Sequence, residues 1–588
     1  MSKTRIIDSL VYLATSVLGG LFLFYALGYL WLGHWVVTHF DFWRIYDVYL
    51  THSWLESALL KHNGHSLFFP SFIYLANFHF FHGSEEFLFW IGLILFSTSI
   101  GLLLVPIWRD PAVPATAQTL STLGIVVGSF WMARAPIIAS SQWICNASVF
   151  MLGAEVGFLS LPAMGKEPVR NWRATIAVLA GGFVACFSGG LGLAIWPTLL
   201  LLCWCLRLSW RSLIILLVAS IAAAVIFVSL PPARSVPPVL PRNYPLLAYI
   251  PSALDALCRL ISAPVFYAIS AWRTKPFSPQ VVESSRGPLI CGLVALLVGT
   301  WFVLRAMVRR DLRKSDLQLV GIALILLNLF DLALIVVARA DVSGIMSAEI
   351  AAPRYFFSTT LLWVGLILLL IRQSILVPVM RWPVYIAVLA LPIFLFPAHR
   401  RDGMTCRWAR HLSNFAATAL INGVRDDGRV SFLFPNPKQV YRVAPALRTL
   451  RLDMFASGLQ DWIAQPVTNV YDGRHRREGF TGECHIAGLL NCENGDTAAR
   501  VVGRLWESKR RVAMTAIIVN PSGVVCGIGR SSHVNPLASS IFYGGKLYRN
   551  LGFIGYIRSY DPKLQYFVRS ADDGVLSDEA VMVRNQSP

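Results

Sequence analysis

The sequence predicts a polytopic α-helical membrane protein with a β-rich domain at its C-terminal end. Hydrophobic residues make up 55% of the 588 residues, charged residues only 14%, and the mean hydropathy is +0.58. A chain of this composition is too apolar to be soluble. Apolar runs of span length recur until about residue 398, and from His399 the composition turns polar. We therefore expect a transmembrane domain over 1–398 and a C-terminal domain over 399–588.

About eleven apolar runs predict membrane spans. The first, Leu10–Leu32, follows Lys3 and Arg5 and has no small-residue cleavage site, so we interpret it as a retained span and not as a signal peptide. The other runs cover 86–107, 119–135, 146–163, 174–189, 190–206, 212–230, 288–306, 317–338, 357–374 and 383–398.

Basic residues are concentrated in alternate loops between these spans. Such loops are usually cytoplasmic, which predicts a cytoplasmic N-terminus and places the opening loop 34–85 and everything from His399 on the opposite side of the membrane. The same distribution accounts for the formal charge of +19, so we predict no nucleic-acid partner. The basic positions are Arg109; Lys166, Arg170 and Arg173; Arg207 and Arg211; Arg305, Arg309, Arg310, Arg313 and Lys314; and Arg372 and Arg381.

The segment 231–287 interrupts this pattern. It begins with the proline-rich sequence PPARSVPPVLPRNYP, which cannot be helical, and continues with an apolar, helix-like piece near 246–271. Two interpretations stay open for this piece: an amphipathic helix that lies on the membrane surface, or a re-entrant wall of a cavity.

The opening loop carries residues suited to chemistry. If the first span runs on through the apolar Trp35, Val36 and Val37, Asp41 follows its end by about one helical turn. Asp41 stands in the aromatic sequence FDFWRIYD, in which Asp47 is the second aspartate. A carboxylate at the membrane surface, with Trp43 and Tyr46 nearby, can act as a general base toward a hydroxyl group. For each aspartate the alternative is a helix N-cap or a solvated surface charge.

A group of hydrogen-bond donors follows in the same loop. Lys61, His62, Asn63 and His65 surround the flexible Gly64, and this arrangement suits a phosphate or a sugar hydroxyl. The second interpretation is a site for a divalent cation, built from the two histidines and an aspartate, although the spacing is not specific for a metal.

Three further candidates belong to later parts of the chain. Arg354, in the sequence Ala352-Pro353-Arg354-Tyr355, has a planar guanidinium that suits bidentate binding of phosphate; an interfacial arginine beside an aromatic ring is the alternative. Asp331 lies inside a predicted span, where an acid usually faces the bundle interior or pairs with an arginine. The glycine-rich turn around Ser188 lets a ligand approach the backbone, although glycines also serve helix packing.

The C-terminal domain predicts a β-sandwich on a helical base. Apolar residues have helical spacing over 407–424 and 438–457. Strand-like segments cover 500–506, 511–519, 524–530, 546–559 and 564–570, with the turn Asn520-Pro521-Ser522-Gly523 between two of them. The even number of cysteines suggests disulfides, and Cys484 with Cys492 is the favoured pair; a Cys/His metal site with His485 is the alternative.

Four motifs resemble bacterial membrane glycosyltransferases of the GT-C class. They are the DFW around Asp41, the HNGH at 62–65 with the FFPSFIYL that follows, the SGGLGLAIWP that begins at Ser188, and the PRY at 353–355. The likeness covers roughly 1–398. It implies an inner-membrane enzyme of cell-envelope polysaccharide biosynthesis, and in its pattern the C-terminal domain resembles carbohydrate-binding sandwiches.

The resemblance also implies roles for individual residues. In this class an aspartate of the first outer loop is the catalytic base and a polyprenyl-phosphate sugar is the donor, so the base falls on Asp41, with Asp47 as its substitute. Phe42 stands where the class has a second acidic residue. With such a donor, we expect the donor phosphate to bind at Lys61, His62, His65, Arg354 and Tyr355. We expect the acceptor, a glycan or a lipid-linked sugar, to bind at Trp43, Tyr46, Asn63, Ser188 and Asp331.

Two other functions fit the same composition. A transporter or flippase of lipid-linked sugar would also carry an intramembrane acid such as Asp331, but we would expect internal repeats, and the sequence has none that we detect. A non-catalytic partner in polysaccharide assembly, with a C-terminal domain that binds polysaccharide, is the other alternative.

Overall fold

The computed structural model divides the chain into two compact units. The membrane unit comprises Met1–Leu30, Ser53–Ile73 and Phe89–Gly403. The barrel unit comprises Trp31–His52, Tyr74–Leu88 and Met404–Pro588. The opening loop therefore contributes segments to both units. The structure describes residues 3–62, 64–165, 167–189, 192–233, 246–273, 277–309, 312–339, 352–470, 476–477, 480–507, 515–533, 536–543, 550–571, 576–577 and 579–585.

The α-helices are numbered in chain order. They are α1 (Lys3–Gly33), α2 (Phe42–Tyr49), α3 (Trp54–Leu59), α4 (Phe68–Phe80), α5 (Glu85–Arg109), α6 (Ala115–Ser129), α7 (Ala135–Ile138), α8 (Ser141–Met164), α9 (Trp172–Cys186), α10 (Ile195–Cys205), α11 (Trp210–Ser229), α12 (Leu246–Trp272), α13 (Pro279–Ser284), α14 (Arg286–Arg309), α15 (Asp316–Arg339), α16 (Phe356–Leu376), α17 (Arg381–Ile421), α18 (Asp427–Val430), α19 (Pro437–Leu450), α20 (Val467–Val470) and α21 (Pro536–Tyr543). Two 3-10 turns, Met132–Arg134 and Pro353–Tyr355, position the site described below.

Ten helical segments of the described chain are long and apolar enough to cross a membrane, which makes the chain a multi-pass membrane protein. Nine of them overlap predicted spans, and the tenth is Ile250–Trp272. The nine are Ile6–Gly33, Glu85–Arg109, Ala115–Ile138, Ser141–Met164, Trp210–Ser229, Arg286–Arg309, Asp316–Val337, Pro353–Leu376 and Pro378–Ile421.

The two other predicted spans, 174–189 and 190–206, form helices that are too short for a full crossing. Helix α9 has 15 residues, or about 22 Å, against a hydrocarbon core of about 30 Å. Gly192 lies close to the last turn of α9, since a Cβ added to it would lie 2.2 Å from the carbonyl oxygen of Ala185. The glycine-rich sequence therefore ends the helix early, and the prediction of two full spans here is wrong.

The apolar piece near 246–271 forms one continuous helix, α12, which packs closely on its neighbours. A Cβ added to Gly292 of α14 would lie 1.7 Å from the carbonyl oxygen of Cys258 in α12. Trp363 of α16 donates a hydrogen bond from Nε1 to the carbonyl oxygen of Ile261 (2.9 Å). This packing, together with its length and composition, favours a helix within the membrane unit over one that lies on the membrane surface. If α12 crosses the membrane completely, the alternation of loop sides changes after it, so the sides of the loops stay a prediction.

Most strands belong to a closed barrel. The strands are β1 (Lys61–His62), β2 (His65–Ser66), β3 (Val424–Arg425), β4 (Arg476–Arg477), β5 (Phe480–Cys492), β6 (Thr497–Glu507), β7 (Thr515–Val519), β8 (Val525–His533), β9 (Asn550–Ile557), β10 (Phe567–Ser570), β11 (Leu576–Ser577) and β12 (Val581–Arg584). The main sheet has the order β12-β10-β7-β8-β9-β6-β5-β3, and β12 also pairs with β5, in parallel, which closes the sheet.

Strand β5 explains why the sheet is a barrel and not the predicted sandwich. It is 13 residues long and has a bulge between Ile486 and Gly488. A bulge bends a strand and increases its twist, which favours closure of the sheet. The length of β5 lets it pair with β6 along one edge and with both β3 and β12 along the other. The enclosed core contains small and branched side chains, among them Ala499, Val501 and Ile518.

The predicted disulfide between Cys484 and Cys492 is wrong. Both residues lie on β5, where Cys484 is opposite Gly503 and Cys492 is opposite Val424. Eight residues of strand separate them by about 26 Å, whereas the Cα atoms of a disulfide lie within about 7 Å of each other. Both cysteines are free and buried, and burial raises the pKa of the Cys484 thiol to about 12.

The helical part of the barrel unit follows the prediction with one difference. The predicted helix over 407–424 and the predicted span 383–398 form a single helix of 41 residues, α17. At the end of α17, the side chain of Asn422 donates to the carbonyl oxygen of Ile528 (3.0 Å) and accepts from the N–H group of the same residue (2.7 Å). This side chain thus ties the helix end to strand β8.

Candidate functional site

Asp41 lies in the barrel unit, directly before α2, and its side chain does not cap that helix. Its carboxylate is 38% exposed and forms an ion pair with Arg44, with 3.4 Å between Oδ1 and Nη1. The guanidinium of Arg44 also lies 5.0 Å from the ring centroid of Phe434. The aspartate named by the family resemblance is therefore open to solvent and has a basic partner.

Asp47 is engaged with helix α19 of the same unit. Its Oδ2 pairs with Arg442 and accepts a hydrogen bond from Gln439 (3.3 Å). Trp43 and Tyr46, which were predicted to face the acceptor, are both fully buried. Burial, reinforced by nearby carboxylates, raises the pKa of the Tyr46 phenol well above its ordinary value. In this structure both aromatic residues belong to the core of the barrel unit.

A pair of acidic side chains shares one hydroxyl group beside this segment. The Thr38 hydroxyl lies 3.0 Å from Oε1 of Glu85 and 2.7 Å from Oδ2 of Asp453. Burial raises the pKa of Asp453 to about 6, although hydrogen bonds from Thr38 and the positive charge of Arg530 act in the opposite direction. Asp453 also has a φ of 53°, which is uncommon for a residue other than glycine. The surrounding fold therefore holds Asp453 in a left-handed backbone conformation that residues other than glycine rarely adopt.

Lys61, His62 and His65 lie in the membrane unit, on the hairpin formed by β1 and β2. His62 and His65 are directly opposite each other, so their side chains share one face of the hairpin. Lys61 donates from Nζ to a carbonyl oxygen near the end of α11 (3.2 Å). Asn63 lies outside the described residues. Within the described ranges, no group of three His, Cys, Asp or Glu residues is arranged to hold a metal ion.

The structure brings together two of the motifs that carry the family resemblance. The N–H group of Phe69, in the FFPSFIYL motif, donates to the carbonyl oxygen of Phe187 (3.3 Å), directly before the SGGLGLAIWP motif. Ser188 is buried and donates its hydroxyl to the carbonyl oxygen of Val184 in α9. Serine often satisfies the backbone of its own helix in this way.

Arg354 and Tyr355 form the 3-10 turn directly before α16. Arg354 is exposed, and its guanidinium lies 5.1 Å from the ring centroid of Tyr355. Their turn packs against the turn Met132–Arg134.

Asp331 of α15 is buried and accepts a hydrogen bond from Ser358 of α16, while its Oδ1 has no partner among the described residues. Its observed partner is thus a hydroxyl and not the arginine that the sequence allowed.

Four aromatic rings pack together beside the turns Met132–Arg134 and Pro353–Tyr355, and they are here called the aromatic cluster. Trp131 stacks on Phe356, with ring planes 4° apart and centroids 6.1 Å apart. Tyr267 of α12 meets Phe356 edge-on at 5.1 Å and Trp131 at 6.1 Å. Phe277 packs on Tyr267 at 4.8 Å. The cluster therefore holds α12, the start of α16 and the turn Met132–Arg134 in fixed relation within the membrane unit.

Arg134 is fully buried beside the aromatic cluster. Its Nη1 donates to the carbonyl oxygens of Gly128 (2.8 Å) and Ser129 (3.0 Å), and its guanidinium lies 4.4 Å from the ring centroid of Phe357. Its Nε and Nη2 atoms have no partner among the described residues. A buried charge without a counter-charge costs several kcal/mol. Such a guanidinium attracts an anionic ligand.

Asp402 of α17 reaches the same cluster from another side. Its Oδ1 accepts hydrogen bonds from the Tyr267 hydroxyl (2.8 Å) and from Nε of Arg401 (3.3 Å). Its Oδ2 has no partner in the described part of the chain. One turn earlier, Nδ1 of His399 accepts a hydrogen bond from the N–H group of Met132 (3.2 Å). A buried cation, Arg134, and a carboxylate with one unpaired oxygen, Asp402, thus both lie beside the aromatic cluster.

Sequence reasoning missed Arg134, Asp402 and the Thr38–Asp453 contact. Arg134 falls inside the predicted span 119–135, and an ionisable residue in such a position is a signal for a site. Asp402 follows directly after the last predicted span, where the change of composition drew attention to the C-terminal domain instead. No local pattern predicts the contact between Thr38 and Asp453, which are 415 residues apart.

No protein-family model, curated protein or solved structure matches this chain significantly. The resemblance to GT-C glycosyltransferases therefore rests on the sequence motifs. The functional assignment depends on the side chains of the site.

Proposed function

We propose that the protein is a membrane glycosyltransferase of the bacterial inner membrane. It moves a sugar from a polyprenyl-phosphate donor to a glycan or lipid-linked acceptor on the extracytoplasmic face, and it inverts the anomeric configuration. A lipid-linked donor calls for a protein embedded in the bilayer and for positive charge where the phosphate leaves. The ten candidate spans support the first requirement.

The main support for the proposal is that Arg134 and Arg354 lie on two turns that pack against each other. Arg134 is buried and keeps two N–H-bearing nitrogens unpaired among the described residues, while Arg354 is exposed on the neighbouring turn. A planar guanidinium binds phosphate through two parallel hydrogen bonds. Positive charge in a site shielded from water stabilises the negative charge that develops on a departing phosphate, and such stabilisation is usually the largest single contribution to catalysis.

The reaction also needs a base that takes the proton of the acceptor hydroxyl. The sequence assigns this role to Asp41 or Asp47, and both assignments stay predictions. Each of these aspartates has an arginine partner, Arg44 and Arg442 respectively.

Purified protein in lipid nanodiscs tests the proposal. We expect undecaprenyl phosphate to bind more tightly than undecaprenol, and one member of a panel of undecaprenyl-phosphate hexoses and pentoses to serve as donor. Arg134→Gln should weaken phosphate binding about 10- to 100-fold, because hydrogen bonds to charged groups contribute about 1.5–3 kcal/mol. Arg354→Lys tests the planar guanidinium at an exposed position, where folding is not at risk.

Arg313→Gln is the matched control, because Arg313 is an exposed arginine of a different loop. It should bind undecaprenyl phosphate like the wild type. Equal binding of undecaprenyl phosphate and undecaprenol, with no transfer from any donor, would overturn the proposal. Movement of a lipid-linked sugar across vesicles without transfer would favour the flippase instead, and binding of polysaccharide alone would favour the assembly partner.

A further inference from the structure

We infer that Asp402 is the carboxylate that accepts the proton of the acceptor hydroxyl. This inference rests on the proposed function and gives the reaction a base within the same unit as the phosphate-binding arginines. Asp402 retains 9% of its surface in the structure and is therefore nearly enclosed.

The hydrogen bonds of Asp402 divide its two oxygens into different roles. Oδ1 accepts from the Tyr267 hydroxyl and from Nε of Arg401, and these two donors fix the orientation of the carboxylate. Oδ2 is buried and has no partner among the described residues. Leaving a buried acceptor unpaired is energetically unfavourable. A hydroxyl group of a substrate would satisfy Oδ2, and this is the geometry of an oriented general base.

Tyr267 is itself held firmly. Its ring packs against Trp131, Phe277 and Phe356, and the guanidinium of Arg401 lies 4.6 Å from the ring centroid. The aromatic cluster therefore fixes the ring of Tyr267, and the hydroxyl of Tyr267 in turn orients Asp402. Because packing fixes this supporting residue, the carboxylate keeps the alignment that proton transfer requires.

Helix lengths place Asp402 at the same end of the bundle as Arg354. Helix α16 begins two residues after Arg354 and runs for 21 residues, about 31 Å. The chain then turns, and Asp402 lies about 21 residues along α17, again about 31 Å. The contact between Tyr267 and Phe356, together with the hydrogen bond between Tyr267 and Asp402, confirms that the two ends meet. Either length is close to the hydrocarbon thickness of a bilayer, about 30 Å.

The other carboxylates considered as the base differ in their surroundings. Asp41 is 38% exposed beside Arg44, and Asp47 is bound by Arg442 and Gln439. Asp331 has an unpaired oxygen in the described chain, but it lies inside α15 and its one donor is Ser358. Asp402 combines two orienting donors, an unpaired oxygen and direct contact with the aromatic cluster.

The acceptor O–H proton passes to Oδ2 of Asp402 while the acceptor oxygen forms a bond to the anomeric carbon of the sugar. The bond between that carbon and the phosphate oxygen breaks, and the phosphate leaves with the electron pair, stabilised by Arg134 and Arg354. Asp402 later returns its proton to solvent, which completes the cycle.

Asp402→Asn is the decisive variant, because asparagine keeps the shape and can still accept from Tyr267, but cannot take a proton. We expect kcat for sugar transfer to fall by about 10²- to 10⁴-fold, with unchanged binding of undecaprenyl phosphate and an unchanged melting temperature. Tyr267→Phe, which removes one orienting donor and keeps the ring, should lower kcat by about 10-fold. Asp461→Asn is the matched control, because Asp461 is half exposed on the surface of the barrel unit, and it should be fully active.

Three results would overturn the inference, and they differ in what else they overturn. Full activity of Asp402→Asn, with Asp41→Asn inactive, removes Asp402 from the reaction and leaves the glycosyltransferase assignment intact. A purely structural role would show as parallel losses of melting temperature, donor binding and kcat, and this outcome also rejects the inference. Absence of transfer by the wild-type protein overturns the proposed function and the role of Asp402 together.

Discussion

Several buried acids of the described chain accept a hydrogen bond from a hydroxyl group on a neighbouring segment. Glu155 accepts a hydrogen bond from a serine of α5 (2.6 Å), Asp331 from a serine of α16, and Asp453 from Thr38 (2.7 Å). A hydroxyl supplies one hydrogen bond and no charge, so it compensates a buried carboxylate only in part. In Asp453, which lies outside the candidate spans, the consequence is a pKa raised by burial to about 6.

We expect Asp453 to make the stability of the protein depend on pH. Because its pKa is higher in the folded chain than in the unfolded chain, the folded state binds the proton more tightly, and the associated stability is lost as the pH rises from about 4 to about 6. Relative to Asp453→Asn, the wild type should lose up to about 3 kcal/mol of unfolding free energy over this window, at about 1.4 kcal/mol per pKa unit. Melting temperatures of both proteins between pH 4 and pH 7 measure this difference.

Asp461→Asn again provides the comparison, because that carboxylate is half exposed and forms a surface ion pair with Arg451. The difference between this variant and the wild type should change little over the same pH range. A wild-type protein that gains stability over Asp453→Asn as the pH rises would contradict the raised pKa.

At the scale of elements, glycine decides how closely two helices of the membrane unit approach. Gly292 of α14 lies so near Cys258 of α12 that the smallest side chain would meet the carbonyl oxygen at 1.7 Å. Small residues allow such backbone contacts between membrane helices, where van der Waals packing and hydrogen bonds replace the hydrophobic effect. The position of α12, and with it Tyr267, depends on this contact.

Gly292→Ala should therefore destabilise the membrane unit by about 1–3 kcal/mol, because the added methyl group forces α12 and α14 apart. Gly101→Ala is the matched control, since a Cβ at Gly101 in α5 has no neighbouring atom within 4 Å among the described residues. Thermal unfolding in detergent, with both variants measured beside the wild type, gives the comparison. Equal melting temperatures for the two variants would mean that α12 does not pack on α14.

At the scale of the whole molecule, the barrel unit is assembled from distant parts of the chain. It combines Trp31–His52 and Tyr74–Leu88 with everything from Met404. The N–H group of Phe40 donates to the carbonyl oxygen of Leu433 (2.7 Å), and His39 contacts Ser413 through its ring, whose pKa burial lowers to about 4. The two ends of the opening loop therefore complete the helical part of the barrel unit.

Labelling of single cysteines in intact cells tests the predicted orientation. In a background without the two partly exposed native cysteines, Cys291 and Cys526, we expect Ser522→Cys in a barrel turn to react with a membrane-impermeant maleimide. Arg170→Cys, at a side chain that is 83% exposed in a predicted cytoplasmic loop, should react only after permeabilisation. The reverse pattern would invert the topology and move the proposed site to the cytoplasmic face.

The sequence was most informative where a property repeats along one segment. Apolar runs predicted nine of the ten candidate spans, and the turn at Asn520 and Gly523 lies between β7 and β8 as expected. The long strand β5 was not predicted, because Gly482 and Gly488 and the polar residues between them interrupt the alternation of side chains. The β-sandwich was wrong because closure depends on a pairing between β5 and β12, which are far apart in the chain.

The sequence by itself determined that this chain is a multi-pass membrane protein with a β-rich C-terminal part, because hydropathy and alternation are local properties that each segment carries alone. Only the tertiary structure decided which charged side chains meet. Asp402 reaches Tyr267 across 135 residues of chain, and Arg134 meets the turn of Arg354 through the packing of α6, α7 and α16. Such contacts depend on how helices pack in three dimensions, and the residues that make them leave no periodic signal in the sequence.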